Sequence, residues 1–502
     1  MLSEYVGDRV LSIPQAIKVV ENFFFHTSNR LYDLKLSLEP LTKSPTSLAV
    51  RTRPPGVSDL ETLTAFLKEH PYTKFLRLQY LDYTASPRLR VIPIKRALTV
   101  LQDQQSLNIG ITRASLGLLQ NDTIVAGGSA TGEYRLHAVL SSLKPGPSES
   151  FVSVQGEFRE DDGSAASLCP RSVLRRTLLE SKLHGLEFLL GFEIEIVFLA
   201  RSPVTKDGKP RYTTISDSGG HAWSSARMLQ SGIITKIIEE IYDALAKSGI
   251  FLEQWHPESS SGQYEFVLPP LAPLEAVDTL LLAREIICTI AALYSMRATL
   301  HPKPFPMMAG TASHVHISIS SPNGQQKEVY ESFYAGILSH LRAICAFTYS
   351  NRASYDRVAD GCWAGGRWVT WGTQNRETPL RKIAGSHWEI KCLDGLANMY
   401  LAIAAIISAG VEGVAAQTTL DWEDCEKDPA MCSAEERAKL GIEEALPATL
   451  EEALEELEED DGLGEMLGRE VIARYIGVKK AEADLLNGME ADERREWIIE
   501  RY

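Results

Sequence analysis

The seven cysteines (Cys169, Cys288, Cys345, Cys362, Cys392, Cys425 and Cys432) are odd in number, scattered and without a CxxC pair. Such usage excludes a disulfide framework and reads as free thiols in a reducing compartment. Positive charge is also short: 51 Lys and Arg against 66 Asp and Glu leave a net charge of −15. That balance argues against nucleic acid, whose phosphates need a basic surface, and against docking on an anionic membrane leaflet. Residues 1–10 carry acids, an arginine and no apolar core ahead of a small-residue cleavage site. No secretory signal is expected there, and a cytoplasmic location is. The longest apolar stretch, Leu396 to Val414, is interrupted by Asn398, Ser408, Glu412 and two glycines. It predicts a buried core helix rather than a membrane span. A Walker P-loop, a βαβ rhythm with Gly-rich turns and an internal repeat are all missing, which sets aside P-loop, Rossmann and solenoid architectures.

What is present suits a large globular chain. Its 502 residues, 44% hydrophobic and 23% charged, are enough for two or more domains. The organisation divides into three parts. Residues 1–58 read as a helical arm, with an amphipathic stretch PQAIKVVENFFFH at 14–26 and a Pro/Ser-rich linker from Glu39 to Ser58. Residues 59–165 read as a small mixed α/β domain. It opens with a helix capped by Asp59 that runs to His70, followed by strand-like runs FLRLQYLDY, RLRVIPI and SFVSVQGEF. Residues 166–502 alternate long helices, clearest over 173–184 and 274–296, with short strands. The acidic run EEALEELEEDD at 451–461 reads as a solvated helix face.

The chemistry-bearing signal is a set of acidic or histidine residues two apart inside apolar strands. In GFEIEIVFL, Glu193 and Glu195 alternate with Phe192, Ile194, Ile196 and Phe198. A period of two places both carboxylates on one face, ~7 Å apart. His314 and His316 in SHVHIS share a face in the same way, as do Glu389 and Lys391 in HWEIKC. Glu258 and Glu265 flank SSSGQY, and Glu265 sits between the strand-forming Tyr264 and Phe266. Carboxylates gathered in one pocket repel unless cations or protons lie between them. Oxygen ligands with a single imidazole suit Mg²⁺ or Mn²⁺ better than zinc. Any one of these pairs alone is more simply the solvent face of an edge strand; their joint occurrence is what carries weight.

In order along the chain, GFEIEIVFL, HPESSSGQYEFVL, HPKPFPMMAGTASHVHISI, NRASYDRV, TQNRETPLRKI and HWEIKCLDGLANMYLAIAA resemble the successive signature motifs of glutamine synthetase. The resemblance runs from about residue 72 to the end. It implies an α+β fold: a β-grasp domain followed by a catalytic domain whose curved antiparallel sheet, flanked by helices, forms a funnel. It implies stacked rings of subunits, with each site completed by a neighbour's β-grasp loop. It also implies ATP as co-substrate and two divalent ions. Glu195, Glu258 and Glu265 match the ligands of one ion, and Glu193, His314 and Glu389 those of the other. Arg376 and Arg381 match the arginines that hold the nucleotide phosphates and the transferring phosphoryl group, and His316 a further phosphate contact. Arg357 and Gly310 match positions that hold the amino-acid substrate.

The ammonia site departs from the family pattern. Its glutamate falls at Trp363 in RVADGCWAGG, and the matching aspartate of the β-grasp loop falls near ITRASL, residues 111–116, which hold no acid. Lys391 stands where the family has a second substrate arginine, keeping the charge without the bidentate fork. Three readings follow: a ligase for an amine larger than ammonia, with Trp363 as wall and Asp360 as base; a catalytically inactive scaffold or regulator; and an ordinary glutamine synthetase. The arm at Pro14–Leu34 resembles the closing helix of an amidohydrolase barrel, as in a fungal group that fuses such a barrel ahead of a glutamine-synthetase-like domain; an ordinary packing helix explains it as well.

Overall fold

The structure, a computed structural model, describes residues 57–202, 211–215, 220, 227, 230, 232–360 and 364–502, all within one compact unit, Arg53–Tyr502. The predicted arm helix and its amidohydrolase likeness lie outside the described residues, as does Trp363.

Two sheets organise the described chain. The first uses β1 (Phe75–Leu81), β2 (Pro87–Pro93), β3 (Asn108–Thr112), β4 (Glu133–Pro145) and β5 (Phe151–Arg159) in the order β2-β1-β5-β4-β3. Its central pair, β1 and β5, is parallel and its other neighbours are antiparallel. The helix Ile94–Gln102 buries Ile94, Ala97, Val100 and Leu101. The second sheet is built from β6 (Phe188–Arg201), β7 (Tyr212–Thr214), β8 (Gln254–Pro257), β9 (Gln263–Val267), β10 (Met296–Thr299), β11 (Val315–Ile319), β12 (Trp371–Thr373), β13 (Leu380–Ala384) and β14 (His387–Ile390). Its main path is β12-β13-β14-β11-β6-β9-β8, and β7 and β10 pair with the far half of β6. Only β12 and β13 run parallel. Fourteen-residue β6 is the axis: β11 pairs with its first half, β9 with its middle, and β7 and β10 with its end. One strand with partners changing along its length curls the sheet, which gives the mixed α+β architecture expected.

The helices cover that sheet. Met399–Ala416, the longest apolar run, is mostly buried, as a core helix should be. It meets the helix Lys327–Ser339 at Gly336 and Gly413, where a Cβ on Gly336 would fall 2.3 Å from the Ala409 carbonyl and 2.8 Å from the Gly413 Cα. No side chain fits that crossing. A buried charge network ties the first sheet to three helices, Pro170–Leu183, Pro273–Leu293 and Met399–Ala416. Arg171 Nη1 donates to Glu157 on β5 at 2.6 Å, and its Nε and Nη2 donate to Asp278 at 3.1 and 2.9 Å. Asp278 also accepts from the Tyr400 hydroxyl at 2.6 Å, so every charge in the group is met by a hydrogen bond.

Three local expectations change. Ser58, not Asp59, caps the first helix, Asp59–Glu69: its hydroxyl accepts from Glu61 N at 3.2 Å, and the Glu61 carboxylate accepts from Ser58 N at 2.6 Å. This reciprocal box satisfies two orphan N–H groups, more than Asp59 alone would do. The helix expected over 274–296 spans Pro273–Leu293, because Ser295 takes φ 58° and Met296–Thr299 turns back as β10. The strand expected over RLRVIPI stops at Pro93, where a helix begins. Pro93 has no N–H to give a further ladder bond.

Candidate active site

The curl of the second sheet brings the paired residues onto one concave face. The register places Arg381 opposite Glu389, Glu389 opposite His316, and Glu195 opposite Glu265, which is itself opposite His256. His314 lies one residue before β11, where its carbonyl accepts from Glu193 N at 3.0 Å.

Glu193, His314 and Glu389 form one cluster whose ligand atoms lie within 4.8 Å of one another. His314 presents a single nitrogen, Nδ1, to three carboxylates: Glu193 Oε2 at 3.1 Å, Glu389 Oε1 at 3.3 Å and Glu195 Oε1 at 3.7 Å. One N–H can serve only one of those oxygens, whereas a divalent cation among them would serve all. The other ring nitrogen of His314, Nε2, is buried and has no partner. A hard, oxygen-rich donor set with one imidazole fits Mg²⁺ or Mn²⁺. Burial, followed by the charge of Lys391, pushes the His314 imidazole down to about 4, so the ring is neutral and able to ligate. Burial would raise the Glu193 carboxyl, but hydrogen bonds from His314 and His316 hold it well below the usual range.

His256, Glu258 and Glu265 form a second cluster. His256 Nε2 lies 3.1 Å from Glu265 Oε1, and its Nδ1 lies 3.5 Å from Glu258 Oε1. Glu195, which the family match groups with Glu258 and Glu265, sits between the two clusters. Its Oε2 accepts from Gln263 Nε2 at 2.9 Å and from Ala312 N at 3.1 Å. Burial, then the charges of Glu265 and Glu258, push the Glu195 carboxyl up to about 8. Burial likewise raises the Glu265 carboxyl, outweighing the hydrogen bond from His256. That mutual repulsion is the electrostatic reason for a cation here.

These shifts give a pH-dependent expectation for the metal-free protein. A carboxyl raised from its ordinary value to about 8 contributes stability at low pH that is lost as pH climbs towards 8. The hydrogen bond to Glu265 pushes His256 from 6.5 up to about 9, and its contribution is likewise lost as pH rises through 9. Both terms weaken the metal-free fold from about pH 6.5 to 8.5, where deprotonated ligands bind a cation best. The gain in Tm on saturating Mg²⁺ should therefore exceed its pH 6.5 value by about 3 °C or more at pH 8.5. A calorimetric gain that is flat or falling with pH would contradict the two-cluster reading.

The remaining residues surround these clusters. A pocket is lined by Glu195, Glu258, Ser259, Ala309, Gly310, Arg357 and Ala364. Arg357 is 3% exposed, and its Nε and Nη1 are buried without a partner. Gly310 makes room for it: a Cβ there would sit 2.6 Å from the Pro302 carbonyl and 3.2 Å from the Arg357 Cβ. Arg381 Nη1 donates to Glu389 Oε2 at 3.0 Å and Nη2 to Gln374 Oε1 at 2.7 Å, leaving Nε buried and unpaired. Arg376 is exposed in the turn between β12 and β13. Buried Lys391 donates from Nζ to Glu389 Oε1 at 3.2 Å, so its charge is turned to the carboxylate cluster. Asp360 is held by Arg367, Nε to Oδ2 at 2.7 Å, while its Oδ1 is buried without a partner. In the β-grasp segment, Arg113 pairs with Glu160 and lies over the Tyr134 ring at 4.5 Å. Its charge is therefore already met within the chain.

His256, Gln263 and His387 were not singled out from the sequence. His256 precedes a proline, which broke the strand pattern, although its spacing of two from Glu258 was the available signal. Gln263 and His387 carry no sequence mark beyond their places beside Glu265 and Glu389.

Comparisons with known proteins agree with this geometry. A family model described as glutamine synthetase, catalytic domain, matches residues 167–502. Protein fluG of Emericella nidulans is 42% identical over 507 residues, 99% of this chain, and the chain spans 56% of that relative's length. Gamma-glutamylpolyamine synthetase GlnA3 of Streptomyces coelicolor is 29% identical over 441 residues, which are 83% of this chain and 91% of that protein. Among solved structures, the GmaS/ADP complex matches with a TM-score of 0.73 at 22% identity, covering 86% of this chain and 98% of that one, a likeness of fold. With two thirds of its length matched by the family model and the expected carboxylates gathered on one face of the sheet, the chain belongs to the glutamine synthetase family.

Proposed function

We propose that this chain is an ATP-dependent ligase that joins a carboxylic acid, glutamate or a close relative, to an amine larger than ammonia. The observation that carries the ligase reading is Arg357: a buried guanidinium, its Nε and Nη1 without a partner, in the wall of the pocket that Glu195 and Glu258 also line. Such an arrangement waits for a carboxylate. In the reaction, a carboxylate oxygen of the acid attacks the γ-phosphorus of ATP, ADP leaves, and an acyl phosphate results. The amine nitrogen then attacks the acyl carbon and inorganic phosphate leaves. Glu193, His314 and Glu389, and Glu195, Glu258, Glu265 and His256, would hold Mg²⁺ or Mn²⁺, which when bound would supply charge neutralisation for the transferring phosphoryl group. Arg381 and Arg376 hold the phosphate oxygens, with His316 beside them, and Arg357 orients the acid. Asp360 Oδ1, free of a partner, is the acceptor for the proton lost by the amine. The same reading gives a ring-shaped homo-oligomer whose sites borrow a neighbour's β-grasp loop.

The acceptor is argued from the residues that replace the ammonia site. ITRASL holds no carboxylate and Trp363 is bulky and uncharged, so the attraction that would concentrate ammonium is reduced. An organic amine needs it less, because burying its substituent contributes about 25 cal/mol per Å² and an aromatic face attracts a cation. The relative from Streptomyces coelicolor is named for a polyamine acceptor. ADP release by the purified protein with glutamate, ATP and Mg²⁺ should be supported by a di- or polyamine better than by ammonia. Trp363→Glu should raise activity with ammonia and lower it with that amine. A wild-type preference for ammonia of about a hundredfold over every amine, roughly 2.7 kcal/mol in the transition state, would overturn the acceptor assignment.

A further inference from the structure

We propose that His387 is a positioning residue: through His316 it holds Glu193 in its cation-ligating orientation. The inference rests on the reading of Glu193, His314 and Glu389 as a metal site and extends it by one layer. Three groups form a chain along the sheet. Glu193 Oε1 lies 3.2 Å from His316 Nε2, and His316 Nδ1 lies 2.8 Å from His387 Nε2. His316 is on β11 beside β6, and His387 opens β14 on the other side of β11, so three adjacent strands each supply one member.

The donor pattern leaves little freedom. A carboxylate only accepts, so the bond to Glu193 requires hydrogen on His316 Nε2. The other nitrogen, Nδ1, then carries either a lone pair, which His387 Nε2–H fills, or a hydrogen, which the His387 Nε2 lone pair accepts. Both arrangements keep Nε2–H on Glu193. Without His387, nothing holds His316 Nδ1, and the ring is free to turn its Nε2 away from the Glu193 carboxylate. Glu193 is thus held on Oε1 by His316, whose own orientation His387 fixes, which leaves Oε2, 3.1 Å from His314 Nδ1, for the cation the two would share. Partners bonded directly to a ligand, as His316 is to Glu193, cost about 10- to 100-fold in metal affinity when removed, and His387, one bond further out, belongs at the low end of that range.

The test uses the full chain and Mn²⁺ alone, read by the EPR signal of free ion and independently by steady-state kinetics. His387→Phe keeps a ring and removes both nitrogens; His387→Gln restores a donor and an acceptor near the Nε2 position. The expected result is a Mn²⁺ dissociation constant about tenfold higher in His387→Phe, recovered to within about threefold of wild type in His387→Gln. In kinetics, the half-saturating metal concentration should rise in the same order while kcat at saturating metal stays within about threefold. Equal affinity in all three proteins would overturn the role of His387. So would equal losses in both variants, since packing rather than the hydrogen bond would then be at stake. Failure of the wild type itself to bind Mn²⁺ would instead overturn the metal-site reading beneath it.

Discussion

Glu193→Ala and Glu258→Ala should each lower kcat/KM by about a thousandfold or more, roughly 4 kcal/mol of transition-state stabilisation. The two residues are chosen because they sit in different clusters. Removing Glu193 takes the acceptor from His316 Nε2 and leaves His314 Nδ1 facing Glu389, whose carboxylate is already met by Arg381 and Lys391. Removing Glu258 deletes a wall of the pocket that Arg357 also lines and leaves His256 facing Glu265 only. Neither change opens a cavity in the apolar core, so the variants should fold. Their Mg²⁺-induced gain in Tm should shrink along with the activity. Glu435→Ala, in the first turn of a helix with no buried residue, serves as the control and should be silent. Near-wild-type ADP formation by both variants at limiting metal would sink the site assignment.

How much of this was legible in the sequence depends on the kind of signal each residue leaves. Glu193 and Glu195 could be read because a charged residue between four core apolar ones has few places to go. Their shared face is where β6 presents them, beside Glu265. Gln263 was invisible by the same logic. It is neutral, follows a glycine, and acquires its role only when the fold brings Glu195 Oε2 and the Gly310 carbonyl to its amide, at 2.9 and 2.8 Å. The strand Met296–Thr299 was hidden because it continues the apolar pattern of the preceding helix, and only pairing with β6 separates them. Asp360 looked like a free base in the sequence; Arg367, seven residues on, holds one of its oxygens. Periodicity reports which face a side chain takes. It does not report which distant partner has already claimed it.

Arg357 carries the other large expectation. Arg357→Leu should raise KM for the acid about a hundredfold and lower kcat/KM about a thousandfold, with KM for ATP changed by no more than about threefold. The argument starts from burial. A guanidinium that is 3% exposed has lost most of its water, yet Nε and Nη1 find no acceptor. Leaving a buried donor unmet costs roughly 1–3 kcal/mol, a penalty that a carboxylate bound at the guanidinium would reduce by meeting one of those donors. Arg357→Lys keeps the charge but has no second donor at a fixed spacing, so it should recover only a small part of the loss. The variant also bears on stability, and here two effects oppose each other. Leucine removes the unpaired donors, but it also removes a charge that lowers the buried carboxyls of Glu195 and Asp394. The thermal midpoint should therefore move by no more than a few degrees while activity falls steeply, a split that general misfolding would not give. An Arg357→Leu protein with wild-type KM for glutamate, and for every other dicarboxylic amino acid that the wild type uses, would show that the acid binds elsewhere.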